Sequence, residues 1–451
     1  MDQSPTSIVT IETPSLGDRS YLVHDGVSAF VIDPQRDIDR VLAAADQASV
    51  TIDGVFETHI HNDYVTGGLA LARECDAPYY LNGADEVCFE RTPVRDGDVV
   101  GVGSMQVRPI ATPGHTFTHL SYALQGPTSA VFTGGSLLIG STGRPDLLGE
   151  EHAEELARRQ HASARRLADQ LAPDTWVMPT HGFGSFCSAT QTTGDSSTIG
   201  QEMAQNPALT QDEAAFVEQT LAGLGAYPAY YAHMGPANAA GPSAPDLTPP
   251  GRADAAELRR RLDAGEWVVD LRSGRAFAAG HVPRTLNFAV DGQFATYLGW
   301  MIPWGRPITL LGDDADQIAT AQRELVRIGI DRPAAAATGG PTSWTHDDVA
   351  SFPVATFADL AEARSDQEVV ILDVRQRDEY AMSHVVGAVN VPLHELTGPL
   401  SDVPPGRVWV YCASGYRSAI AASVLAAADR DVVTVQDGFD EAEEAGLPLA
   451  R

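Results

Sequence analysis

The sequence contains no lysine. Its 30 basic residues are all arginine and face 60 acidic ones, for a net charge of −30. That absence excludes Schiff-base catalysis and lysine-dependent phosphate loops. A surface this negative repels phosphate backbones and anionic lipid, so neither nucleic acid nor a membrane is an expected partner. No run of about 18 apolar residues occurs, which removes a spanning helix. The N-terminal stretch lacks the basic start and apolar core of a signal peptide, and the cytoplasm is the expected location. Cysteine is scarce as well. Cys75, Cys88, Cys187 and Cys412 are too few and too scattered for a disulfide framework, which points to a reducing compartment and leaves room for a chemical thiol.

What is present divides the chain. At 451 residues, two or three domains are expected. In residues 1–234, short apolar strands such as 28–34 and 55–59 alternate with helical stretches. Residues 37–48 place Ile38, Val41, Leu42 and Ala45 on one helical face, and 150–172 have the spacing of a surface helix. This is the pattern of an α/β domain. Residues 235–251, rich in Gly, Pro and Ala, are expected to be a linker without a periodic element. Behind them lies an internal repeat. At one constant offset, Asp270 falls on Asp373, Arg272 on Arg375, Phe277 on Tyr380, His281 on His384 and Asn287 on Asn390. Two further domains follow, at 252–350 and 351–451.

Residues 408–428 read as a buried strand, a short loop and a helix beginning near Ser418. Cys412 ends the strand. A thiol at a helix N-terminus meets unpaired N–H groups and the positive end of the helix dipole, which favour the thiolate. Arg417 adds a fixed positive charge. The expected roles are nucleophile for Cys412, anion stabiliser for Arg417, and a persulfide cradle built from Ala413, Ser414, Gly415, Tyr416 and Ser418. The spacing Cys-x-x-Gly-x-Arg resembles the sulfur-carrying loop of the rhodanese family, and Asp373, Arg375, His384, Gly387 and Asn390 resemble that family's framework. The related phosphatase loop is one residue longer, and the tighter loop suits a single sulfur atom better than a tetrahedral oxyanion. In the first repeat Gly312 and Gln317 stand where Cys412 and Arg417 would be. That copy resembles a rhodanese without its chemistry, left to pack or to position.

In the N-terminal domain, Thr58-His59-Ile60-His61-Asn62-Asp63-Tyr64 follows a strand, as do His115 and His181. Imidazoles and a carboxylate at strand-to-loop junctions can converge on one cation. The pattern resembles the metallo-β-lactamase fold, an αββα sandwich. With the rhodanese units behind it, the chain is most similar to persulfide dioxygenases fused to tandem rhodanese domains with parallel sheets. That resemblance implies iron(II), with zinc as an alternative occupant, and oxidation of a low-molecular-weight thiol persulfide coupled to sulfur transfer involving thiosulfate or sulfite. Nothing in the sequence opposes a homo-oligomer.

Two departures from the family pattern stand out. The last histidine of the signature is Tyr64, and the carboxylate expected after Thr133-Gly134 is Gly135. His59 and His115 are carried over as metal ligands, with His61, Asp63 and His181 in the second rank. Three outcomes are open. The iron has two protein ligands plus water or an anion; or Asp63 or Asp146 turns inward; or the site is poorly metallated, leaving a scaffold beside a working Cys412. Tyr64, Arg144, Asp146 and Cys187 are the expected pocket residues, with Arg144 and Asp146 alternatively a loop-fixing ion pair. A thioester hydrolase is the remaining alternative. An aspartate restored at position 135 is expected to strengthen iron binding.

Overall fold

The computed structural model describes residues 6–126, 128–189, 194–365, 368–398 and 400–451. It divides into two compact units, Met1–Asp246 with Val326–Gly329, and Leu247–Leu325 with Ile330–Arg451. No described helix is long and apolar enough to cross a membrane.

The first unit is an αββα sandwich. One sheet runs in sequence order through Ser7–Thr13, Asp18–His24, Ser28–Ile32, Thr51–Phe56, Tyr79–Asn82 and Thr92–Val94. The other runs Ser197–Thr198, Trp176–Pro179, Ala130–Gly134, Leu120–Gln125, Met105–Ala111, Val100–Val102. The inward residues of both sheets, among them Phe30, Phe56, Leu120, Tyr122 and Phe132, share one core. Its rings meet edge to face, Phe30 on Phe132 at 6.1 Å and Phe56 on Tyr122 at 5.1 Å. Burying each such ring contributes roughly 1.5–3 kcal/mol. Helices Asp39–Ala48 and Gly68–Glu74 cover the outer face of the first sheet through Val41, Ala45, Leu69 and Leu71. Helix Glu150–Gln170 covers the second through Ala157, Ala164 and Leu167, a spacing that keeps one stripe inward. The strands ending at Phe56, Ala111, Gly134 and Pro179 run on into the loops that carry the histidines.

The expected linker is corrected at its start. Helix Tyr231–Ala240 runs into it, with Pro236 inside the helix. Composition argues against such a helix, and tertiary hydrogen bonds override composition. The buried Asn238 amide donates to the carbonyls of His61 and Tyr64 at 2.9 and 2.8 Å and accepts from Thr66 N–H at 2.9 Å. It therefore clamps the His-rich loop from both ends. Asn238→Ala strands these buried groups, and we expect a loss of roughly 2–4 kcal/mol in urea unfolding of this unit together with weaker metal binding. An unchanged unfolding midpoint would show that the clamp is dispensable.

In the second unit the repeat is duplicated bond by bond. Its two main sheets are parallel, in the orders Leu286–Asn287, Trp267–Asp270, Ile308–Gly312, Ala335–Thr338 and Val354–Ala355, Val432–Val435, Arg407–Tyr411, Val369–Asp373, Val389–Asn390. Arg272 donates to Asp270 at 2.6 Å as Arg375 does to Asp373 at 2.7 Å. Asn287 donates to the carbonyls of Asp270 and Arg272, and Asn390 to those of Asp373 and Arg375. His281 stacks on Phe277 at 4.0 Å, and His384 on Tyr380 at 3.7 Å. Register identifies the missing thiol. Asp270 pairs with Leu311 and Asp373 with Tyr411, so Gly312 occupies the position of Cys412.

Candidate metal centre and thiol site

His59, His115 and His181 are buried, and their ligand nitrogens all lie within 4.8 Å of one another. Each ring is aimed by an oxygen on its far nitrogen. Thr58 Oγ1 donates to Asp33 at 2.7 Å, so its lone pair accepts from His59 Nδ1 at 2.9 Å. His115 Nδ1 donates to the Arg144 carbonyl at 2.9 Å. His181 Nδ1 lies 2.8 Å from Asp18 and 3.0 Å from Asp63. Oxygens behind imidazoles fix the tautomer that leaves Nε2 for a cation. His115 Nε2 is buried without a hydrogen-bond partner, and His59 Nε2 faces His181 Nε2 at 3.4 Å. These residues fit a divalent metal, and three neutral imidazoles accept iron or zinc alike.

Electrostatics follow the same division. Burial pushes His59 and His115 down, His115 to about 3, so both are neutral. Burial opposes a charge on His181, but Asp63 and Asp18 outweigh it and hold its pKa well above the ordinary value. A cation would displace the proton between His181 and His59.

His61, two residues from His59, is turned elsewhere. Its Nε2 lies 3.0 Å from Glu57, 3.3 Å from Asp33 and 3.0 Å from the Tyr64 hydroxyl. Against burial, Asp33 and Glu57 raise its pKa to about 9. It is an imidazolium between two carboxylates and is withdrawn from the three-histidine face. Asp63 does turn inward, but onto His181 Nδ1. Asp146 does not. Arg144 grips it through Nε and Nη2, both at 2.7 Å, and the guanidinium lies 4.5 Å over the Tyr227 ring. This pair fixes the loop. Cys187 is buried, and burial together with Asp63 pushes its thiol well up, so it is a protonated packing thiol. Cys75 is half-buried and Cys88 exposed.

Two residues escaped the sequence reading. Besides Asn238, the buried His119 stacks on His59 at 4.9 Å and accepts the Gly135 N–H at 3.1 Å. Its spacing from His115 was the one available signal, and its place at the start of a strand hid it. Gly135 has a steric reason to lack a side chain, because a Cβ there would lie 2.7 Å from His115 Cγ and 2.8 Å from Nε2. The His115 ring fills the space of the missing carboxylate.

In the second unit, Cys412 Sγ accepts N–H bonds from Gly415 at 3.2 Å and Ser418 at 3.4 Å. Gly415, at φ +90, caps helix Tyr416–Ala427, which begins two residues before the expected Ser418. Only a glycine takes that conformation without strain. Ser418 Oγ donates to Gly415 O at 3.0 Å, and Ala413 O accepts from Phe439 N–H at 2.9 Å, which stiffens the loop. Arg417 has a partner that the sequence did not give. Both its terminal nitrogens donate to Glu379, at 2.6 and 2.8 Å, and the guanidinium also interacts electrostatically with Cys412. The exposed Ser414 and the half-buried Tyr416 form the outer wall of the loop.

The family model of the metallo-beta-lactamase superfamily matches residues 19–181, and that of the rhodanese-like domain matches 356–445. A hydroxyacylglutathione hydrolase of Acidiphilium cryptum is 33% identical over 174 residues, 38% of this chain and 67% of that protein. The same enzyme of a Marinomonas strain is 31% identical over 160 residues, which are 35% of this chain and 58% of its own length. The crystal structure of a metallo-beta-lactamase from Staphylococcus aureus is 26% identical with a TM-score of 0.68, covering 74% of this chain and 99% of that one. The fold, the histidine cluster and these matches lead to one conclusion: the chain belongs to the metallo-beta-lactamase superfamily and carries a rhodanese-like domain behind that fold.

Proposed function

We propose that the chain is an enzyme of sulfur metabolism with two working sites. At the first, a single metal held by His59, His115 and His181 serves the oxidation of a low-molecular-weight thiol persulfide. The outer sulfur is oxidised, dioxygen is reduced, water supplies the third oxygen, and sulfite and thiol leave. At the second, Cys412 carries a sulfane sulfur between persulfide, sulfite and thiosulfate.

The observation that carries the first half is the state of position 135. A bridged two-metal hydrolase needs a carboxylate between its metals. Here the His115 ring occupies that space, His61 is committed to Asp33 and Glu57, and Tyr64 replaces the last histidine. One face of three imidazoles is left beside a second grouping, His61, Asp63 and His181, whose ligand atoms also lie within 4.8 Å of one another. Bound iron(II) would supply the oxygen chemistry, which zinc would not. The chain's own part is preorganisation. Thr58, the Arg144 carbonyl and the Asp18–Asp63 pair hold the rings ready, and the Arg144–Asp146 pair holds the loop behind His115.

The curated relatives favour a second reading, hydrolysis of a hydroxyacylglutathione thioester. One experiment separates the two. Protein purified anaerobically and loaded with iron(II) is expected to hold one iron per chain and to consume oxygen when given glutathione persulfide or coenzyme A persulfide. Thioester hydrolysis without oxygen uptake would replace this reading. Only trace metal after loading would leave Cys412 alone at work on a scaffold.

A further inference from the structure

The two copies of the repeat differ by more than the thiol. Their framework bonds survive in both: Arg272 holds Asp270 as Arg375 holds Asp373, and Asn287 and Asn390 make the same pair of bonds to backbone carbonyls. A further ion pair is made only beside Cys412. Glu379, on helix Arg377–Met382, takes both terminal nitrogens of Arg417, at 2.6 and 2.8 Å. At the constant offset of the repeat, Ala276 stands in the place of Glu379, while Gln317 replaces Arg417 and Gly312 replaces Cys412. Thiol, cation and anion are missing together from the first copy.

Helix capping does not account for Glu379. It accepts the Gln376 N–H at 2.9 Å, but the matching helix Gly274–Ala279 forms without a glutamate, because Ser273 Oγ accepts the Ala276 N–H at 3.3 Å. What differs is the charge beside the sulfur. Arg417 stands in the first turn of helix Tyr416–Ala427, between Gly415 and Ser418, whose amides both donate to Cys412 Sγ. Burial opposes a charge on Glu379, but Arg417 outweighs it and holds the carboxyl below its usual range. The two side chains are only 12 and 27% exposed, so each charge offsets the other more strongly than in open water.

A thiosulfate dianion and a thiol persulfide ask different things of this loop. The outer sulfur of a persulfide needs only the amides around Sγ, whereas the oxygens of thiosulfate need a cationic donor. We infer that Glu379 sets the donor class at Cys412: by occupying and offsetting Arg417 it suits the loop to a thiol persulfide and makes it poor for thiosulfate. This rests on the reading of Cys412 given above. With a persulfide, the Cys412 thiolate attacks the outer sulfur, the S–S bond breaks, and the carrier thiolate leaves with the bonding pair. With thiosulfate the same bond breaks and sulfite leaves with the pair. In both cases a persulfide remains on Cys412, and no outside oxidant is required.

The test compares thiosulfate with glutathione persulfide, with cyanide as acceptor. Glu379→Gln keeps the shape and removes the charge. It is expected to raise kcat/KM for thiosulfate about tenfold, while kcat/KM for the persulfide moves less than about twofold and the melting temperature holds. Glu379→Asp keeps the charge, and is expected to stay within about threefold of the wild type with both donors. A glutamine variant that is unchanged or worse with thiosulfate, or equally altered with both donors, would overturn the assignment. So would an aspartate variant that behaves like the glutamine one. A wild-type chain inert with both donors would instead refute the role of Cys412, and this proposal with it.

Discussion

Cys412→Ser is expected to bring sulfur transfer from thiosulfate to cyanide down to the uncatalysed background, a loss on the order of a thousandfold or more. The reason lies in the atom. A serine hydroxyl at neutral pH is neither an anion nor able to hold a sulfane sulfur, whereas a thiolate is both nucleophile and carrier. The change is nearly isosteric, and the amides of Gly415 and Ser418 can still donate to the smaller oxygen, so the fold is expected to survive with little change in melting temperature. Retained activity would place the carrier on another cysteine. The structure opposes that for Cys187. Of the other three, only Cys187 is buried, and its thiol is held protonated by burial and by Asp63.

The second large effect is expected at Gly135, in the direction opposite to the one the sequence suggests. Read from the motif, an aspartate at 135 restores a missing ligand. In the fold, any side chain there enters the His115 ring, whose Nδ1 is tied to the Arg144 carbonyl and cannot retreat without breaking that bond. Gly135→Asp is therefore expected to remove most of the bound iron and to cost about 1–3 kcal/mol through overpacking. Gly135→Ala is expected to do nearly the same, since the first carbon already collides. The checks are iron content per chain by mass spectrometry and the unfolding midpoint. An aspartate variant that binds iron more tightly would show that His115 gives way and that the ligand set described here is wrong.

The sequence carried much of this, and it failed at identifiable places. The repeat was legible because Asp270, Arg272, His281 and Asn287 each make a local bond that their counterparts also make. His59, His115 and His181 were legible because strand ends bring loops together. The fate of His61 was not, because Asp33 reaches it through sheet pairing, and the contact with Glu57, four residues back, belongs to no motif. The two-ligand and inward-carboxylate alternatives both omitted His181, whose aim depends on Asp18, far away in sequence. Asn238 was invisible for the opposite reason. It lies in a stretch whose composition reads as linker, while three long-range hydrogen bonds give it a place. Arg417 was identified correctly as a cation, but no spacing rule shows that Glu379 neutralises it.

The first copy also bears on whether its loss could be undone. Gln317 folds across the place a thiol would take. Its Oε1 accepts the Asp313 N–H at 2.8 Å and would lie 3.0 Å from a side chain added at Gly312. A cysteine returned there would meet an amide oxygen in place of a ring of donors, and no intermediate step toward activity would be rewarded. The inactive copy is thus held in its new state by its own repacking. Revival as a second sulfur carrier would require several changes at once.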